Sequence, residues 1–85
     1  MTRDEFLSEA GRLINHDRNK DYGDAQKNFM DIADIWSVIL NRPVTTKEVA
    51  LCMIGVKMAR LAKSPDHDDS WIDICGYSAL GGELV

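Results

Sequence analysis

The segment from Thr45 to Ala62 constrains the fold of this chain most strongly. It opens with Thr45-x-x-Glu48, a capping box in which two side chains satisfy free backbone amides at the start of a helix. The helix that follows is apolar on almost every side, and Lys57 and Arg60 are the charges in its body. Because such a helix must be covered on most sides, it predicts the centre of a bundle or a subunit interface.

Three more helices follow from apolar residues at helical spacing and from the residues that start and stop them. The first starts at the capping box Thr2-x-x-Glu5, the second has Asp24 as its N-cap, and the last ends at Gly81-Gly82. No segment has the pattern of a strand. The predicted helices cover about 3–17, 24–40, 45–62 and 69–80. The sequence therefore predicts one all-α domain over residues 1–85, a four-helix bundle-like unit completed by homo-oligomerisation.

Composition narrows the classes of function. The 85 residues contain 10 Lys and Arg against 14 Asp and Glu, a net charge of -4, which lacks the basic excess that nucleic-acid binding requires. The longest apolar stretch, 49–56, is far shorter than the roughly 20 residues that span a bilayer, and the first residues lack the apolar stretch of a signal peptide. We therefore expect neither a membrane span nor a secretion signal. Cys52 and Cys75 are isolated, so we expect free thiols in a cytoplasmic protein, with a disulfide between them as the alternative.

Two carboxylates on the last predicted helix are candidates for a metal site. Asp69 and Asp73 are four residues apart and share a face that Tyr77 extends. Two like charges so close need a cation between them, either Mg²⁺ or a basic side chain of the preceding helix, Lys57 or Arg60. If the cation is Mg²⁺, the sequence predicts a site that binds phosphate through the metal. If it is Lys57 or Arg60, the sequence predicts an interhelical ion pair. If Asp66 is the N-cap, Asp69 has a purely structural role near the helix N-terminus.

The cations of the third helix are candidates for phosphate binding. Lys57 and Arg60 are three residues apart, so their side chains can converge on one point. A charge in an apolar helix is costly unless it is paired, and we expect both cations to have partners. A phosphate group suits that role as well as a carboxylate does.

Further binding residues are predicted around aromatic side chains. Tyr22 and Gly23 precede the helix capped by Asp24, where free amides bind an anion and a ring stacks on a base. Asn28, one turn later, is placed to contact a base or sugar, and Trp71 is a second stacking candidate. The alternatives are an ordinary helix-loop-helix turn, an exposed Asn28, and a Trp71 that packs in the core or an interface.

These residues occur in a pattern that resembles a known group of proteins. The pattern consists of Tyr22-Gly23-Asp24, Asn28-Phe29, Ile32-Ala33, Trp36-Ser37, Val49-Ala50-Leu51, Lys57-x-x-Arg60-Leu61 and His67-x-Asp69-Ser70-Trp71-x-Asp73-x-x-Gly76-Tyr77. Over about residues 18–84 it resembles small phage-encoded proteins that are distantly similar to MazG-like all-α nucleotide pyrophosphohydrolases and to phage nucleotide-modification-associated domains.

The resemblance implies an oligomeric all-α bundle with a nucleotide phosphate held between helices, in the host cytoplasm. In the enzymes, acidic residues of the last helix help to bind Mg²⁺, and the nearest match here is Asp69 or Ser70 with Asp73. The preceding helix departs from the enzymes, because Lys57-x-x-Arg60 replaces their usual Glu-x-x-Glu.

Three hypotheses follow for the function. The first is a Mg²⁺-dependent hydrolase that converts a nucleoside triphosphate to the monophosphate and pyrophosphate, with Asp69 and Asp73 as the catalytic metal ligands. The second is a protein that captures a nucleotide, including a cyclic defence signal, without turnover. The third is a structural or regulatory helical oligomer. A nucleotide-phosphate site ranks first.

Overall fold

The computed structural model describes residues 1–17 and 24–84, and over these ranges the chain is helical with no strand. Four α-helices follow one another along the chain, and a wider π-helical turn over Leu13–Asp17 continues the first. They are α1 (Arg3–Arg12), α2 (Ala25–Leu40), α3 (Thr46–Lys63) and α4 (Asp68–Glu83). The predicted all-α class is confirmed. No helix of the described residues is long and apolar enough to cross a membrane.

The predicted helix starts are confirmed at three of the four helices. Thr2 and Thr45 each form a complete capping box with the glutamate three residues later. Asp24 caps α2, with its side chain accepting from the amide of Gln26. α2 ends at Asn41, which adopts a left-handed conformation with φ of 54°, as an asparagine at this position readily does.

The start of α4 differs from the prediction, because His67 and not Asp66 is the residue before the first helical turn. The amide of Ser70 donates to the His67 carbonyl at 3.1 Å, which fixes Asp68 as the first helical residue. The Ser70 hydroxyl is buried and lies 2.7 Å from Nδ1 of His67. Asp69 is therefore the second residue of the helix and not the third.

The predicted end of α4 at Gly81-Gly82 is also wrong, since the helix continues to Glu83 and Leu84 is buried. The reason is a close contact between helices. A Cβ atom at Gly81 would lie 3.0 Å from Cβ of Ala50, so glycine there lets α4 approach α3. The ammonium of Lys47 also donates to the Gly81 carbonyl at 2.7 Å. The contacts with α3 thus hold the last turn in helical form.

The core lies where α2, α3 and α4 meet. α3 packs most extensively against α4, and α1 and α2 pack against α4 and α3 respectively. Phe29 and Tyr77 form an edge-to-face pair with ring centroids 6.3 Å apart. The buried core cluster comprises Phe29, Ala33, Val49, Ala50, Tyr77, Leu80 and Leu84.

Candidate functional site

The structure brings Lys57 and Asp73 together as an ion pair between α3 and α4. The Lys57 Nζ atom lies 2.9 Å from Oδ2 of Asp73, and the side chains are only 13% and 19% exposed. Of the two cationic partners predicted for Asp73, the lysine is the one observed. Because water is largely excluded, removing one partner of this pair costs more stability than removing one partner of an exposed pair does.

The described cavity that Asp73 lines is too small for a nucleotide. Asp73 lines a narrow cavity with Gly76, Tyr77 and Ile14, and the other lining residues are Ala10, Leu13, Ile72 and Leu80. Its volume of about 10 Å³ is that of one water molecule at most. A Cβ atom at Gly76 would lie 3.0 Å from the Ile14 side chain, which shows how closely α1 approaches α4 here. Tyr77, predicted as a binding residue, is a buried core residue.

The acidic residues fit a divalent cation poorly. Asp69 is exposed at the start of α4, while the charge of Asp73 is balanced by Lys57. Among the described residues, no three His, Cys, Asp or Glu side chains converge as a metal site would need. Cys52 and Cys75 are free thiols, as predicted.

Lys57 pairs with Asp73, whereas Arg60 lines a separate cleft whose lining does not include Lys57. This cationic cleft is lined by Arg60, Lys63, Ser64 and His67 and has a volume of about 280 Å³. Arg60 is exposed, and none of the ion pairs among the described side chains involves it. Arg60 is accessible to water, and the expectation that it has a charged partner stays a prediction.

The backbone of the cationic cleft is fixed by hydrogen bonds at the junction of α3 and α4. The Ser64 amide donates to the Arg60 carbonyl at 2.9 Å, and the His67 amide donates to the Ser64 carbonyl at 3.1 Å. Because Nδ1 of His67 faces Ser70, Nε2 is the ring nitrogen left for solvent or a ligand. The cleft thus offers a guanidinium, an ammonium, a hydroxyl and an imidazole on a constrained turn.

Sequence reasoning missed Lys63 and His67 as members of this cleft. The signal was present as Arg60-x-x-Lys63-Ser64-Pro65-x-His67, a short segment with three nitrogen-bearing side chains around a proline turn. The pattern did not reveal the cleft because Arg60 lies in the predicted helix, whereas Lys63 and His67 lie in the polar connection after it.

The other predicted binding residues lie away from the cationic cleft or outside the described residues. Tyr22 and Gly23 fall outside them. Asp24 is exposed as the cap of α2, and Asn28 is half-buried in its first turn. These positions leave the predicted phosphate and base contacts of this loop untested.

Trp71 occupies a second cleft, on the side of α4 that faces α1. Its ring is 47% exposed, and its indole N–H donates to the Pro65 carbonyl at 2.8 Å. This cleft has a volume of about 550 Å³ and is lined by Arg3, Phe6, Leu7, Asp66, Asp68, Trp71, Ile74 and Cys75. The carboxylates of Asp66 and Asp68 therefore line the Trp71 cleft, whereas the cations of the α3–α4 junction line the cationic cleft.

Comparison with known proteins places the chain in a family. The model of the family described as domain of unknown function DUF6378 matches residues 5–85. This chain belongs to the DUF6378 family. It is similar to the Gene 55 protein of Mycobacterium phage D29, with 41% identity over 75 residues, and to that of Mycobacterium phage L5, with 40% identity over 77 residues.

The alignments cover 88% of this chain and 50% and 49% of the two relatives, so the chain spans about half their length. No solved structure matches the chain. The predicted likeness to phage-encoded proteins is confirmed by these relatives, and the likeness to MazG-like enzymes stays a prediction.

Proposed function

We propose that this DUF6378 chain binds the phosphate groups of a nucleotide in the cationic cleft and holds them without metal-dependent turnover. The observation that carries the proposal is the placement of Arg60 and Lys63 in one cleft, with no carboxylate partner for either among the described residues. A phosphate chain would supply the missing negative charge.

The side chains of the cleft suit phosphate oxygens. A guanidinium donates two parallel hydrogen bonds to a phosphate, and an ammonium adds a compact positive charge. Ser64 and His67 add a hydroxyl and an imidazole to the lining. The volume of about 280 Å³ suits a short phosphate chain better than a whole nucleotide, so the nucleoside would extend out of the cleft.

Capture is favoured over hydrolysis by the state of Asp73. A MazG-like pyrophosphohydrolase would need carboxylates that hold Mg²⁺, and Asp73 instead holds the ammonium of Lys57 at 2.9 Å. Asp69 alone offers a single exposed carboxylate. In the proposed function Lys57 and Asp73 therefore position α3 against α4, and Arg60 binds the ligand.

Calorimetric titration with tripolyphosphate and with dATP, each in EDTA and in Mg²⁺, tests the proposal. We expect binding in EDTA, weakened roughly 10- to 100-fold by Arg60→Ala, because a charge-assisted hydrogen bond contributes about 1.5–3 kcal/mol. Lys63→Ala should weaken binding in the same direction. Lys27→Ala is the matched control, since Lys27 is an exposed lysine of α2 that pairs with Asp31.

Two results would contradict capture in the cationic cleft. Equal affinities for the Arg60→Ala, Lys63→Ala and Lys27→Ala variants would place the phosphate elsewhere. Conversion of dATP to dAMP and pyrophosphate in Mg²⁺, abolished by Asp73→Asn, would replace capture by pyrophosphohydrolysis.

A further inference from the structure

The outer face of α3 is apolar and exposed, and at its border Leu51 also lines a cleft with Ser78 and Gly82 of α4. We define it by Leu51, Cys52, Gly55, Val56, Met58 and Ala59, all of which are exposed. Leu51, Val56 and Met58 are 66%, 46% and 59% exposed. An exposed set of apolar side chains on one helix face, with no charge among them, is typical of a surface that another protein covers.

The shape of this face suits a second helix at short range. Gly55 and Ala59 lie along its middle, and a Cβ atom at Gly55 would meet nothing within 4 Å. The larger Leu51, Val56 and Met58 flank these small residues. A partner helix can therefore approach the α3 backbone closely and cover the larger side chains on both flanks.

The charges at the two ends of the face indicate which partner fits. Glu48 lies in the first turn of α3 and Lys63 in its last, about 22 Å apart at 1.5 Å per residue. A second copy placed antiparallel brings Glu48, which also pairs with Arg42 of its own chain, next to Lys63 of the other copy. A parallel copy instead brings Glu48 next to Glu48 and Lys63 next to Lys63. The midpoint between Glu48 and Lys63 falls at Gly55 and Val56. A twofold rotation about that point therefore places the apolar residues of one copy against the apolar residues of the other.

We propose that the outer face of α3 binds the same face of a second copy of this chain, with the two α3 helices antiparallel about a twofold axis near Gly55. In this arrangement Cys52 of one copy faces Ala59 of the other, and Leu51 packs near Met58. The interface is one helix wide and smaller than the roughly 800 Å² per partner of standard complexes, so we expect a dissociation constant in the micromolar range.

Sedimentation equilibrium between about 5 and 200 μM tests the dimer. The wild-type chain should approach twice its monomer mass of 9.5 kDa. Ala59→Glu places two carboxylates in the apolar interface and should weaken dimerisation roughly 100-fold. Ala79→Glu is the matched control, because it makes the same substitution at an exposed alanine of α4.

Disulfide trapping in a Cys75→Ser background tests the orientation. Ala59→Cys should form a covalent dimer with Cys52 of the other copy on mild oxidation. Without the Ala59→Cys substitution, the Cys52 positions of two antiparallel copies are offset by about 10 Å along the helix axis. This offset is beyond the reach of a disulfide, so the two Cys52 thiols should stay reduced. The trapping also decides the question if circular dichroism shows that Ala59→Glu does not fold.

Three outcomes would overturn the proposal. A wild-type chain that is monomeric at 200 μM assigns the face to another occupant. Equal dimerisation of Ala59→Glu and Ala79→Glu places the interface elsewhere. Trapping through Cys52 alone, with none gained from Ala59→Cys, shows parallel helices. Lys63 lies at the end of this face and also lines the cationic cleft, but none of these measurements involves phosphate, so failure of the dimer and failure of the ligand site are distinguishable.

Discussion

At the scale of single residues, the ion pair between Lys57 and Asp73 is a partly buried polar contact between α3 and α4. Removing either charge leaves the other in a site where water is largely excluded. We expect Lys57→Met and Asp73→Asn each to lower the free energy of unfolding by about 1–3 kcal/mol, since both side chains keep some access to water.

The double variant should lose less than the sum of the two single losses, with a coupling of about 1–2 kcal/mol in urea denaturation. Lys27→Met and Asp31→Asn supply the control cycle, because that pair lies on the surface of α2. Strictly additive losses at positions 57 and 73 would show that the observed pair does not stabilise the fold.

The neighbouring glycines Gly81 and Gly82 give a second test at this scale. Alanine is favoured over glycine in a helix by about 1 kcal/mol, and a Cβ atom at Gly82 meets nothing within 4 Å. Gly82→Ala should therefore stabilise the protein by up to about 0.5–1 kcal/mol near the helix end. Gly81→Ala places Cβ 3.0 Å from Ala50 and should lose that gain or destabilise. Equal effects in thermal unfolding would show that α3 and α4 do not approach closely at Gly81.

At the scale of elements, the capping box of α3 makes stability depend on pH. The Thr45 backbone amide donates to the Glu48 carboxylate, and with smaller contributions from the Thr45 hydroxyl and Arg42 it lowers the pKa of Glu48. As pH falls, the unfolded chain takes up the proton near its ordinary pKa of about 4.3, before the folded chain does. The stabilisation is thus complete above that value and is lost as pH falls through the lower pKa of the folded state.

We expect Glu48→Gln to lower the free energy of unfolding at pH 7. At pH 3 the free energies of unfolding of the variant and the wild type should differ less. Urea denaturation at both pH values measures the two differences. Glu83→Gln is the control, because Glu83 lies at the last residue of α4 and not at a helix start. A Glu48→Gln difference that is constant between pH 7 and pH 3 would contradict this role of the carboxylate.

The elements also show which parts of the fold the sequence could predict. Thr2, Asp24 and Thr45 set helix starts through contacts within three residues, so local patterns located them. The end of α4 was missed because Gly81 serves a contact with α3, thirty-one residues away in sequence from Ala50. The Lys57–Asp73 pair was one of two predicted alternatives, and only packing could choose between them. The cationic cleft was missed in part because it joins two helices through a turn.

At the scale of the whole molecule, α2 is held less firmly than the pair of α3 and α4. α2 packs mainly on α3, and its last turns leave Ile35, Val38 and Ile39 exposed. One link at that end is Ser37, whose hydroxyl donates to the Ala33 carbonyl at 2.7 Å and accepts from the Val44 amide at 2.9 Å. Opening α2 exposes less apolar surface than separating α3 from α4, so it should cost less free energy.

Hydrogen exchange followed by NMR should therefore show amides of α2 exchanging roughly ten times faster or more than the central amides of α3 and α4. Ser37→Ala removes the hydroxyl bridge and leaves the Val44 amide without its partner, at a cost of about 1 kcal/mol. Ser37→Ala should accelerate amide exchange in α2 several-fold. The exchange rates of the slowest amides of α3 and α4 should rise only by the amount that the loss of global stability predicts. Ser78→Ala, at an exposed serine of α4, should leave α2 unchanged. Uniform exchange rates across all three helices, shifted equally by Ser37→Ala, would mean that α2 opens only with the whole molecule.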